Sequence, residues 1–220
     1  MSLRYALLAL LTAQPMTGYD LAKSFHSSVG HVWSAPDSQI YPELRRMETG
    51  GLIEATAVAR STQATQATKR IHHITALGEQ AFRAWMAEPV EYSRERDPAH
   101  LRAAYFEWAD PDSVREQLRA HVRHWAGLRE QWQGQFAAIR DRTHPIFVQR
   151  LLISPESERP RIAAYKLFAY EGLIARAEQE IGWAERGLRL ADELEPKPPE
   201  GVRGKLGEGG GTSPGEEVDL

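Results

Sequence analysis

Apolar residues recur along this chain with two periods, and the changes of period divide it. From Leu167 to Ala191 the steps are strictly 3 and 4, through Leu167, Tyr170, Ile174, Ala177, Ile181, Ala184, Leu188 and Ala191. That spacing lines one side of an α-helix over about three heptads. A looser seam runs from Val114 through Leu118, Trp125, Leu128 and Trp132 to Ile139, with gaps at His121 and Gln135. Near the N-terminus Leu3, Leu7, Leu8 and Leu11 give a short helical face that Pro15 ends. In between, Leu52 to Val58 and Lys69 to Ile74 read as strands, joined by the polar stretch from Arg60 to Thr68. The pattern predicts a mainly α protein with one small β-ribbon.

Local stop and start signals sharpen these elements. Thr17, with Asp20 three residues on, caps a helix that buries Ala22 and Phe25 with either Tyr19 or Leu21. Asp37 or Ser38 caps the next, and with Ser38 as cap Pro42 removes only the first intrahelical bond. Ile40, Leu44 and Met47 then point inward. Gln39, Tyr41, Glu43, Arg45 and Arg46 stay on or near the outer face. Gly50 and Gly51 supply a left-handed stop. Thr75 opens a further helix through Gly78, Phe82, Trp85 and Met86. Two short helices followed by a two-stranded ribbon describe a winged helix-turn-helix over residues 1–87. Residues 88–98, polar and holding two prolines, form a linker. Residues 99–194 form a helical domain, and residues 195–220, rich in Pro, Gly and Glu, are expected to be a disordered tail.

Charge supports that division modestly. The formal net charge is -3, yet residues 1–87 hold eight Lys and Arg against six Asp and Glu. The absence of cysteine excludes thiol catalysis, disulfides and Cys-ligated zinc, and suits a reducing cytoplasm. The apolar run at the N-terminus is too short to span a bilayer, so no membrane role is expected. No nucleophile elbow, phosphate loop or HExxH helix is present, which argues against an enzyme and implies no cofactor. His121 and His124 stand at i, i+3, a metal-compatible spacing with no third ligand specified.

On the second helix of the pair, Gln39 and Tyr41 can reach base edges or the sugar-phosphate backbone, and Arg45, one turn on, can clamp a phosphate. Lys69 and Arg70 at the base of the wing, with Arg60 across from them, suit backbone or minor-groove contacts; Tyr19 completes the candidate DNA-binding set. For Tyr41 the alternative is packing within the domain.

The segments LLALL, TGYDL at 17–21, Trp33, SQIYPELRRMETGGLI at 38–53 and KRIHHITALGEQAFRAW at 69–85 together resemble the PadR family of bacterial transcriptional regulators. His72 stands where that family more usually has tyrosine. The resemblance implies a winged helix that binds double-stranded operator DNA in the cytoplasm, at the nucleoid. It also implies a C-terminal helical domain that makes a homodimer, as in the larger subgroup.

Leu167, Tyr170, Ile174, Ala177, Ile181, Ala184 and Leu188 are the candidate dimer seam. That stripe could instead be buried inside its own subunit against the helix near 112–141. Trp108, Trp125, Trp132, Trp183, Tyr105, Tyr165 and Tyr170 are either core or the lining of a pocket for a small aromatic effector. The expected function is repression at an inverted repeat. The contrasting expectation is a winged-helix interaction adaptor without DNA binding, which salt-sensitive retention on DNA or heparin would discriminate.

Overall fold

The computed structural model describes residues 3–27, 35–58, 69–91 and 96–194. The head comprises α1 (Leu3–Leu11), β1 (Met16–Thr17), α2 (Gly18–Ser27), α3 (Asp37–Thr49), β2 (Ile53–Val58), β3 (Lys69–Ile74) and α4 (Ala76–Ala87). The arm comprises α5 (Pro98–Ala103), a 3-10 turn (Phe106–Trp108), α6 (Pro111–Arg140), α7 (Pro145–Ile153) and α8 (Arg159–Leu194). The ranges for β3 and for the helix opened by Thr75 agree with the sequence reading. Arg60, the rest of the wing tip and the tail at 195–220 lie outside the described residues.

The head closes around side chains from α1, α2, α3 and β2. Leu7, Leu8, Leu21, Phe25, Ile40, Met47 and Ile53 are each no more than 1% exposed. Burying such a side chain contributes about 1.5–3 kcal/mol. Leu21, not Tyr19, completes the buried face of α2; Tyr19 is 70% exposed.

The strands form one antiparallel sheet in the order β1-β3-β2, with Ala55 opposite His72 and Met16 on the other side of His72. The two-residue β1 was invisible to periodicity. It makes β3 the central strand.

Helix ends follow sequence chemistry with two departures. The Thr17 hydroxyl accepts the Asp20 amide at 3.1 Å and donates to the Asp20 carboxylate at 2.5 Å, so Thr17 caps α2 as the sequence indicated. Thr75 caps α4 by accepting the Gly78 amide at 3.1 Å and also donates to the Gly51 carbonyl at 2.6 Å. At α3, however, neither Asp37 nor Ser38 is the cap. The helix starts one residue earlier, after Pro36, with no side-chain cap, so Pro42 lies deeper in the helix than the sequence implied. At its end only Gly51 takes a positive φ, at 69°; Gly50 stays at -81°. The Leu52 amide reaches back to the Met47 carbonyl at 2.9 Å and the Gly51 amide to Glu48 at 3.0 Å, closing the turn into β2.

In the arm, α6 and α8 run antiparallel: Arg115 pairs with Asp192 at 2.9 Å, His121 with Glu180 at 3.1 Å, and Arg176 lies over Trp125. Their interface holds two clusters, one around Trp132, Ile139, Phe147, Tyr170 and Ala177, the other around Val114, Leu118 and Ala184. His121, a gap in the sequence pattern, is filled by its pair with Glu180. The head abuts the α6–α7 end of this hairpin, where Ile146 packs on the head core and Gln135 donates to the Ser27 carbonyl at 3.3 Å.

Candidate nucleic-acid interface

The start of α2 is a crossing point for α3 and β3. At Gly18, the residue before Tyr19, an added Cβ would lie 3.1 Å from the Tyr41 ring. Glycine here lets α3 lay that ring across the first turn of α2, beside the exposed Tyr19. Tyr41 is 39% exposed, so one edge packs and the other is free. The packing read from sequence as the alternative for Tyr41 is therefore realised in part, and the open edge leaves the ring accessible. From β3, Lys69 reaches Asp20 on α2 at 3.9 Å. The site thus gathers Tyr19, Tyr41 and Lys69 from three elements.

Gln39 and Arg45 are exposed on the open face of α3, and neither side chain has a partner among the described residues. Arg46, also exposed, is tied to Glu43 at 3.1 Å. Glu43 is a correction: it was expected near the outer face but is 8% exposed. Its second oxygen accepts from Arg4 of α1 at 2.9 Å, which neutralises a carboxylate that burial would otherwise penalise.

The wing base carries a second surprise. Arg70 is ion-paired with Glu48 at the end of α3, and Lys69 with Asp20. Each pairing neutralises a carboxylate as much as it occupies a cation. Lys23, one helical turn beyond Tyr19 on α2, was missed; it is exposed with no ion pair among the described residues. Its i, i+4 spacing from Tyr19 was the available signal. On the outer side of the ribbon, His73 meets Thr56 at 3.0 Å.

On the inner side His72 is 7% exposed, and its Nδ1 is buried without a hydrogen-bond partner. Burial holds its pKa below the usual histidine value. Arg70 and His73 push the same way, against an opposing pull from Glu48.

The candidate dimer residues fall elsewhere than a free surface. Tyr170, Ala177, Ile181 and Ala184 are buried, and Leu167, Ile174 and Leu188 are half-buried, packed in clusters with α6. Of the two readings left open by the sequence, this is burial within the subunit.

The aromatic residues divide as well. Trp132 is core and Trp108 is 87% exposed. Tyr165 and Tyr170 line a cavity of about 660 Å³ between α1 of the head and α7–α8 of the arm. Phe147, Leu10, Arg150 and Lys166 line it too. Desolvation, then the charge of Arg150, holds Lys166 below the usual lysine range, and desolvation likewise lowers Arg150. Neither cation has a carboxylate partner among the described residues.

Residues 7–84 match the model of the family described as Transcriptional regulator PadR-like. Two curated relatives are similar: the probable transcriptional regulator Rv1176c of Mycobacterium tuberculosis, 36% identical over 94 residues, and the negative transcriptional regulator PadR of Bacillus subtilis, 36% identical over 104. These alignments cover 43% and 47% of this chain and 48% and 56% of the relatives, so the chain spans about half the length of the curated relatives it matches. Among solved structures, Bacillus subtilis PadR in complex with operator DNA superposes with TM-score 0.63 at 22% identity, covering 86% of this chain and 99% of that one. The same protein in complex with p-coumaric acid gives 0.61 at 21%, covering 86% and 98%. The Vibrio cholerae virulence activator AphA gives 0.61 at 22%, covering 88% and 100%.

Proposed function

We propose that this chain, whose residues 7–84 match the PadR-like family of transcriptional regulators, is a repressor that binds an inverted-repeat operator as a homodimer. The observation that carries this is the exposed set of Tyr19, Gln39, Tyr41 and Arg45, gathered where α2 and α3 cross while the opposite face of each helix is sealed in the core. Tyrosine and glutamine bring donors and acceptors to base edges, and arginine brings a phosphate clamp. Lys69 and Arg70 act chiefly by holding the wing to α2 and α3, with their paired carboxylates neutralised. Repression is favoured by the negative regulator among the relatives. Two copies reading two half-sites add the binding free energies of two modest modules.

The cavity between head and arm suits a small aromatic effector bearing a carboxylate. Phe147 and the two tyrosines offer apolar walls, and Arg150 and Lys166 offer uncompensated positive charge. An effector bound there couples to DNA only by favouring one head–arm orientation over another.

Selection from random duplex DNA with the full chain tests the first part. An enriched inverted repeat is expected; a folded protein that enriches nothing would overturn it. For the second, p-coumarate serves as probe: it should raise the melting temperature of the wild-type chain and not of Arg150→Met with Lys166→Met. Equal shifts in both would remove the cavity from the reading.

A further inference from the structure

Two acidic side chains stand beside the proposed DNA-contact set. Asp20 follows the exposed Tyr19 in the first turn of α2. Glu48 lies in the last turn of α3, three residues beyond Arg45 and so on the neighbouring part of the helix surface. Each is closed by a cation of β3: Lys69 Nζ lies 3.9 Å from Asp20 Oδ2, and Arg70 pairs with Glu48. Successive side chains of a strand point to opposite sides, so these two neighbours reach two different helices. Lys23 and Arg45, by contrast, have no ion pair among the described residues. These four cations thus fall into two classes, two open and two withheld.

Helix chemistry does not account for both acids. Asp20 sits where the positive end of a helix favours a carboxylate, but Glu48 sits at the negative end, where a carboxylate is disfavoured. Nor are they sealed inside the fold. Glu43 is held between Arg4 and Arg46 with its side chain 11% exposed, whereas Asp20 and Lys69 are 50% and 55% exposed and Glu48 and Arg70 are 29% and 56% exposed. Ion pairs this open to water contribute about 0–1 kcal/mol, so a phosphate can compete for their cations.

We infer that Asp20 and Glu48 are specificity-determining residues that withhold Lys69 and Arg70 from DNA of arbitrary sequence. This rests on the DNA binding proposed above. Attraction to non-operator DNA is almost wholly neutralisation of phosphates by lysine and arginine, and each added contact strengthens it and steepens its salt dependence. Two cations held by carboxylates subtract from that attraction. Base-edge contacts through Tyr19, Gln39 and Tyr41 do not draw on those cations, and the same pairs hold the ribbon to α2 and α3. Bulk DNA therefore loses contacts that the operator does not need, and the ratio of the two affinities widens.

The test is the full-length protein carrying Asp20→Asn and Glu48→Gln, with a random-sequence duplex as probe. Its affinity should rise about tenfold at low salt, and the slope of log K against log salt should steepen by about 0.9–1.8, up to one phosphate for each released cation. Affinity for the inverted repeat obtained by selection should rise less, so discrimination falls. Adding Lys69→Met and Arg70→Met should return the slope to that of the wild type. Glu88→Gln with Glu91→Gln makes the same change of charge on two exposed acids elsewhere and should leave the slope where it was. Asp20→Asn alone should give a change of up to about 0.9, which keeps the question open to measurement should the double variant not fold.

A wild-type chain that binds DNA, with acid variants of unaltered slope, would make the two pairs simple staples and overturn this inference alone. So would an equal rise in both affinities, or an equal steepening in the Glu88 and Glu91 control. A wild-type chain with no salt-sensitive affinity for any duplex would overturn the DNA-binding reading as well.

Discussion

In the winged-helix head, seven large side chains from four elements are 1% exposed or less, whereas in the arm Trp108, Leu152, Tyr165, Phe168 and Leu194 each keep more than three-fifths of their surface open. Both regions were assembled from amphipathic helices. The head has β1, the ribbon and four helices to cover one another, so a single chain seals it. The arm is essentially one hairpin, and a hairpin buries only the facing sides of its helices. Apolar surface left over on a well-packed element marks a place for something else. The head is finished as a fold; the arm is finished only on its inner side.

Ile181→Asp breaks this contrast most severely. It puts a charge into the seam with α6, where Ile181 is 7% exposed, and should cost about 4–5 kcal/mol or more, read as early melting of the arm. An unchanged melt would mean that the seam does not hold the hairpin. In the head, Gly78→Ala forces a Cβ to within 2.1 Å of the Leu52 carbonyl oxygen, where α4 presses on the ribbon. A loss of about 1–3 kcal/mol in urea denaturation is expected, and no loss would show that α4 moves away freely. Tyr41→Ala should cost about 1–2 kcal/mol of stability, since part of the ring packs at Gly18, and leave the head folded while operator affinity falls about tenfold or more. Unaltered affinity would take Tyr41 off the contact surface.

The smallest effect is that of His72. Its folded-state pKa lies below 6.5 because burial disfavours the charged ring. The unfolded chain therefore takes up the proton first as pH falls. The head should lose stability as pH drops below about 6.5 and go on losing it until His72 protonates within the fold, with no contribution from this group at higher pH. His72→Asn should flatten that slope; a slope unchanged in the variant would assign it to other groups.

Much of the head was legible because its signals are local. Thr17 with Asp20, Thr75 before α4, and the Gly50–Gly51 stop are decided by a few neighbouring residues, and all three mark real helix ends. The start of α3 was misplaced because Pro36 fixes the backbone there without offering a side-chain cap. The burial of Glu43 was hidden because its partner, Arg4, is 39 residues away. The pairing of Lys69 and Arg70 was hidden similarly, since sequence gives charge but not who stands beside it. The seam from Leu167 to Leu188 makes the same point on a larger scale. Periodicity says that a face is covered and is silent on what covers it, so a stripe read as a dimer seam turned out to be covered by α6. The outer face of α8, with glycine and alanine in its middle, gave no such signal, and only its exposure in the folded structure brought it out.

The length of α8 has a mechanical meaning. Its 36 residues make a rod about 54 Å long, and the cavity between head and arm lies at one end of it. If the head is the fixed point, a tilt of about 5° at that end swings the far end of the arm by about 5 Å. A change no larger than one side chain at the fulcrum thus becomes a displacement of several ångströms at the tip, with the gain supplied by leverage and no soft joint required.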